Sequence, residues 1–148
     1  MVSRDESLPT KPEEIPSEVA GLRMTKQRRE VYGVILTKRD HPTASSIFRR
    51  VQENMPTISL ATVYNCLEAL VGHGLVKQVN FDREPSRYCP NLSEHVHFQD
   101  EVTGEIHDVT FREGVDVGDL LDLPEGVQVT DLELTIRGRF SGSQKKKI

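Results

Sequence analysis

His95-Val96-His97 sets two imidazoles two positions apart. In a strand such residues project to one side, so both rings can offer a nitrogen to a single ion. Asp108, on the strand predicted to follow, can add a carboxylate. Imidazoles with a carboxylate suit Fe(II), Mn(II), Zn(II) or Co(II). Taken alone, His-x-His is a weak motif, and two polar residues on an exposed strand face would read the same way.

The second informative segment is Ile58-Ser59-Leu60-Ala61-Thr62-Val63-Tyr64-Asn65. Ser59 is a fitting N-cap for a helix. Leu60, Val63, Leu67, Leu70 and Val71 then form its buried stripe, leaving Ala61, Thr62, Tyr64, Asn65 and Glu68 outside. Tyrosine can pack against thymine methyl groups and asparagine can make a bidentate pair with adenine, so this face suits A·T-rich duplex DNA. Lys26, Arg28 and Lys77 are candidates for phosphate contacts that position the protein without specifying sequence, although any one of them alone is ordinarily a solvated charge.

Elements that could carry these groups follow from the pattern around them. A mobile arm over about the first dozen residues leads into a short helix near Glu13 to Ala20. Thr25 caps a helix to about Arg39, with Val31, Ile35 and Leu36 at helical spacing. His41-Pro42 breaks the chain, and Thr43 caps a second helix that buries Ile47, Phe48 and Val51 and ends near Pro56. The third helix stops at Gly72 and Gly74. Two short strands, Leu75 to Phe81 and Arg87 to Cys89, flank a polar loop. Three helices and a hairpin in that order make a winged helix-turn-helix.

After Asn91 the pattern changes to strands at His95 to Gln99 and Glu105 to Phe111, turning at Thr103-Gly104. A short helix is expected near Val115 to Leu123. A further strand is expected from Val127, with a bulge at Thr130-Asp131 where the alternation changes phase. So small a sheet is poorly covered and gains stability by pairing with a second copy. The fold class expected is α+β: an arm over 1–20, a winged-helix DNA-binding domain over 21–90, a small α/β dimerisation and metal-sensing domain over 91–140, and a disordered tail over 141–148.

The 148 residues carry a net charge of −4, which argues against a generic nucleic-acid binder. The average conceals a split. Residues 21–90 hold eleven basic groups against six acidic ones and stand at +5, while 1–20 stand at −3 and 91–148 at −6. A basic half that can approach phosphate is joined to an acidic half that can hold cations. No membrane span or signal peptide is legible, so a cytoplasmic protein is expected. The two cysteines, Cys66 and Cys89, fall in different elements and fit reduced thiols.

Six segments in register, Arg23 to Arg28, His41 to Ala44, Ile58 to Asn65, Gly74 to Val76, Arg87-Tyr88 and His95 to His97, resemble the ferric uptake regulator (Fur) family of metalloregulators, and most closely its peroxide-sensing (PerR-like) branch. The resemblance spans about Leu22 to Gly138. It implies a homodimeric repressor, not an enzyme, that reads palindromic operators and binds one divalent regulatory metal per protomer (Fe2+, Mn2+ or Zn2+) at a hinge. His41, His95, His97 and Asp108 match the family's regulatory ligands. Cys89 stands where the peroxide-sensing branch has an aspartate, and is a candidate thiolate ligand, redox-sensing thiol, or both.

The resemblance also fails at identifiable places. The family's structural zinc uses two Cys-x-x-Cys pairs, where this chain has Asp100 and Thr103, then Phe140 and Ser143, so no structural zinc held by four thiolates is expected. Val96 and Asp131 stand where a further metal site of iron-responsive members would need Asp and His. Three other readings compete: a zinc or nickel sensor of the same family, a metal-independent DNA binder, and a metallohydrolase using Glu94 or Glu105 as base. His73 and His107 are expected to be solvated, with a supporting role beside Asp108 as the alternative for His107.

Overall fold

A computed structural model describes residues 11–93 and 95–141. Most of the expected arm, Glu94, Ser143 and the expected tail from 142 onward lie outside the described residues. The chain divides into two units, 1–92 and 93–148. Their helices and small sheets make an α+β protein. Among the described residues no helix is long and apolar enough to cross a membrane.

The first unit begins with a 3-10 turn, Pro12–Glu14, and a two-stranded ribbon, β1 (Glu18–Val19) and β2 (Leu22–Arg23). This replaces the expected helix near 13–20. Ala20 and Gly21 both have positive φ, 50° and 77°, the backbone of a tight hairpin turn. Alanine in the first of those positions gives no warning of it, because that conformation favours Asn, Asp or Gly.

Three helices follow: α1 (Lys26–Thr37), α2 (Ala44–Gln52) and α3 (Leu60–Gly72). Each starts at the anticipated cap. Thr25 Oγ1 accepts from Arg28 N at 3.3 Å, Thr43 Oγ1 from Ser46 N at 3.2 Å, and Ser59 Oγ from Thr62 N at 3.1 Å. Such caps contribute about 1 kcal/mol each. Gly74, at φ 72°, ends α3 by letting Leu75 N return to the Leu70 carbonyl. The core gathers Val31, Ile35, Ile47, Val51, Val63 and Leu70, all fully buried. Leu60 was expected in that stripe but is 39% exposed, because it is the first residue of α3 and precedes the turn that meets the core. Cys66 takes an inward position instead, and burial raises its thiol pKa, only partly opposed by Arg28.

The wing is the antiparallel pair β3 (Lys77–Val79) and β4 (Arg87–Cys89). Gln78 Nε2 donates to Ser86 Oγ, which donates to Asn80 Oδ1 at 2.6 Å, so the loop between the strands is tied across its base. Beyond the wing pairing, β4 also bridges Thr43 through Arg87, and Tyr88 N donates to the Pro42 carbonyl.

The second unit is a three-stranded sheet in the order β6 (Ile106–Val109), β5 (Val96–Asp100), β7 (Thr135–Gly138), with β6 antiparallel and β7 parallel to β5. Between β6 and β7 the only helix among the described residues is a 3-10 turn, Val117–Leu120, shorter than the expected helix at 115–123. The strand expected from Val127 forms only at its far end, as β7, while residues 127–134, with the expected bulge at 130–131, are irregular. Alternation alone is not enough for a strand. Val127 and Val129 are about half exposed and lie in no sheet, and pairing with β5 begins only where His97 N donates to the Leu134 carbonyl at 3.1 Å.

Candidate metal centre and nucleic-acid interface

In the second unit, strand register brings the expected ligands together. His97 pairs directly opposite Asp108, and His95 lies two residues back on the same face. His95 Nε2 and His97 Nε2 are 3.1 Å apart, and each is 3.3 Å from Asp108 Oδ1. The His95 side chain is 2% exposed, His97 10% and Asp108 31%. His95 Nδ1 lies 2.6 Å from the Ser93 carbonyl. A carbonyl only accepts, so that nitrogen carries the proton and Nε2 presents a lone pair. A proton on His97 Nε2 would reconcile that lone pair with the Asp108 oxygen, and a divalent cation among the three atoms would take the place of this proton. A ring nitrogen fixed by a backbone carbonyl is also how metal-bound imidazoles are commonly held. The donor set fits a divalent first-row ion.

The first unit carries the other two candidates on paired segments. The antiparallel bridge Thr43↔Arg87 continues in register to His41 opposite Cys89. A His41 ring nitrogen and Cys89 Sγ lie within 4.8 Å of each other. Both residues are buried, at 4% and 1%. His41 adopts φ 54°, a left-handed conformation that costs a non-glycine residue about 1 kcal/mol and is worth examining for function. Arg87 Nη1 donates to the His41 carbonyl at 3.1 Å. The Arg87 Nε–H is buried and meets no acceptor among the described residues, an arrangement that costs about 1–3 kcal/mol. Sequence reasoning assigned no role to Arg87 or to the Ser93 carbonyl. Arg87 was visible in the Arg87-Tyr88 segment, whereas a backbone carbonyl leaves no sequence signal.

Two expectations about nearby groups are corrected. His107 is not solvated: its side chain is 17% exposed and its ring stacks on Phe98, with Phe140 edge-on to both. It pairs opposite Phe98, on the sheet face away from Asp108, so it cannot support that carboxylate. Glu105 is 66% exposed and near His107 at 3.7 Å, so the described structure places no hydrolytic base from this residue beside the His-His-Asp group.

The positions of the missing zinc thiolates are filled differently. Asp100 accepts from Val102 N at 2.8 Å, and Gly104 N donates to the Asp100 carbonyl, closing the turn after β5. The Val102 amide, with Thr103, holds the Asp100 carboxyl below the usual carboxylate range. Phe140 covers the Phe98 and His107 rings.

On the nucleic-acid side, Ala61, Tyr64 and Asn65 are exposed on α3, Thr62 is half-buried, and Lys26 and Lys77 are exposed. Tyr64 is 50% exposed. Ser59 and Thr62 direct their hydroxyls at each other, 2.9 Å apart, at the start of α3. Arg28 is half-buried, with Nη1 anchored on the Arg23 carbonyl at 2.9 Å. A cleft of about 550 Å³ opens between the start of α2, the outer face of α3 and the wing, and Tyr64, Glu68, Gln78 and Tyr88 line it. Burial, and then the neighbouring Tyr64, raise the pKa of the Tyr88 hydroxyl.

Comparison with known proteins places nearly the whole folded chain among one set of relatives. A profile of the ferric uptake regulator family matches residues 19–137. The chain is 30% identical over 127 residues to the peroxide-responsive repressor PerR of Staphylococcus aureus, covering 86% of each protein. Against the repressor of the same name from Staphylococcus epidermidis it is 32% identical over 116 residues, covering 78% of this chain and 74% of the relative. Among solved structures, a zinc-bound manganese uptake regulator superposes with a TM-score of 0.64 at 29% identity, over 87% of this chain and 98% of that one. The Campylobacter jejuni peroxide stress regulator gives 0.63 at 27% identity, over 80% and 88%. The chain belongs to the ferric uptake regulator family of metal-responsive transcriptional regulators, and it is not an enzyme.

Proposed function

We propose that the protein is a homodimeric repressor that grips a palindromic, A/T-rich operator when one divalent ion per protomer occupies His41, Cys89, His95, His97 and Asp108. The observation that carries this reading is the convergence of two imidazole Nε2 atoms on one Asp108 oxygen. The ion would replace the proton that these atoms otherwise share and draw all three lone pairs to one centre. Ligands drawn from both units would make metal affinity and the placement of the DNA-binding unit one linked equilibrium. Fe(II), Mn(II) and Zn(II) all suit imidazole and carboxylate, and a thiolate at Cys89 shifts preference toward the softer ions.

Tyr64 and Asn65 support base reading, with Lys26, Arg28 and Lys77 on phosphate. Exposed Val109, Leu134 and Ile136 on the second unit's sheet and its approach support pairing with another copy. The kinship with peroxide-responsive repressors makes peroxide a candidate signal. Cys89 could then pass from thiolate to sulfenate, peroxide being reduced to water. Its near-complete burial favours the ligand role over direct attack on peroxide.

The test is operator binding, followed by fluorescence anisotropy, as Mn(II) or Zn(II) is added to chelated protein. Binding should appear with metal, and Asp108→Asn, which removes a direct ligand, should shift the metal dependence upward by at least the roughly 10–100-fold typical of losing an outer contact, while the apoprotein stays folded. Equal binding with and without metal would replace this proposal with a metal-independent DNA binder.

A further inference from the structure

Arg87 belongs to neither ligand set and does not lie on α3, yet it joins the two segments that present His41 and Cys89. Its backbone pairs with Thr43, its side chain donates to the His41 carbonyl at 3.1 Å, and the adjoining Tyr88 N donates to the Pro42 carbonyl at 3.0 Å. These contacts bracket the left-handed backbone at His41. Without them, the strained loop can relax toward an ordinary φ and carry its imidazole away from Cys89. Proline at 42 has no amide hydrogen to donate, so that residue is held to β4 through its carbonyl alone, as acceptor from Tyr88 N. The buried Nε–H suggests that the guanidinium is held in place for what Nη1 does, since its own hydrogen bonding is left incomplete.

We propose that Arg87 is a positioning residue for the regulatory metal, clamping the His41 loop to β4 so that the first unit offers imidazole and thiolate as one preformed pair. The proposal rests on the reading above, that His41 and Cys89 are ligands. Outer contacts of this kind typically alter metal affinity by about 10–100-fold when removed.

The experiment is a Co(II) titration of the full-length apoprotein, reading both the affinity and the thiolate-to-metal charge-transfer band. Arg87→Met, which keeps bulk but removes the donors, should weaken Co(II) binding about tenfold or more and diminish that band. Arg87→Lys, with one ammonium able to reach the carbonyl, should recover most of both. In the unmutated protein, metal should slow amide exchange at Tyr88, a measurement that holds even if Arg87→Met fails to fold. Wild-type affinity and an unaltered band in Arg87→Met, or Tyr88 exchange indifferent to metal, would overturn the clamp while leaving the ligand assignment intact. If Cys89→Ser and His41→Ala also leave the titration unchanged, the ligand reading itself falls, and the clamp with it.

Discussion

Truncating Tyr64 separates reading DNA from being folded. The side chain is 50% exposed on the outer face of α3, against the cleft that Tyr88 lines. A fully buried aromatic costs about 3–5 kcal/mol when cut to alanine, so half burial puts the folding penalty of Tyr64→Ala near 2 kcal/mol. That should lower the melting temperature by roughly 4–8 °C for a chain of this size, leaving the protein folded at room temperature. Loss of a base-contacting aromatic should cost about 1–3 kcal/mol at the operator, or roughly 5–150-fold in Kd. Binding to random DNA should hardly change, because tyrosine carries no charge and the counterion release that drives non-specific binding is untouched. The assay is anisotropy with metal-loaded protein on an operator selected from random sequence, beside a scrambled duplex, across a salt series. Tyr64→Phe should retain most of the affinity if the ring face meets thymine methyls. An equal loss on both duplexes, or wild-type affinity for the operator, would refute the assignment.

Other substitutions probe the remaining parts. Cys89→Ser and Cys89→Asp, assayed for operator binding with Fe(II) or Mn(II) before and after peroxide, separate its roles: metal-dependent binding restored only by Asp marks a ligand position, and normal metal dependence with normal peroxide release in Ser removes the cysteine from both. Phe140→Ala should destabilise the second unit by about 2 kcal/mol, from its half-buried ring and its two edge-on contacts, and a melt unchanged within about 1 °C would contradict that. The chelated protein should stay folded and dimeric in sedimentation, and unfolding on loss of one ion per chain would reveal a structural metal. Burial works to raise the Asp40 pKa, but the two hydrogen bonds and the charge of Arg50 outweigh it and hold the carboxyl below its usual value. The stability from this pair is therefore present above the ordinary carboxylate range and is lost as pH falls through the depressed value. Asp40 is 39% exposed, so Asp40→Asn should cost at most about 1 kcal/mol in urea near neutral pH, and a gap that persisted undiminished in strong acid would argue against the linkage.

The helical part of the fold was legible because its signals are local: Thr25, Thr43 and Ser59 are capping residues, and the apolar spacing after each fixes the buried face. The pairing of His97 with Asp108 was legible as far as two adjacent strands sharing a face. What escaped the sequence depends on partners distant in the chain or on unusual backbone. The Ala20-Gly21 turn needs a conformation that alanine does not advertise. Residues 127–134 alternate like a strand, yet ladder formation depends on a partner that no local pattern can supply. His107 read as a polar surface residue because nothing local foretells its place between two phenylalanines from β5 and the chain after β7.

The closure of the second unit has a consequence for what can disturb it. Its turn after β5 hangs on a carboxylate, its sheet face is covered by a phenyl ring, and both cysteines of the chain, Cys66 and Cys89, lie before this unit begins. An oxidant therefore finds no thiol to attack among these fastenings, and a chelator or a zinc-poor medium has no thiolate-held ion to withdraw from them. Scarcity of zinc and bursts of oxidant should spare this sheet, and a change in DNA affinity under those stresses should report on the regulatory ligands or on the Cys66 thiol of α3, not on a collapsing frame.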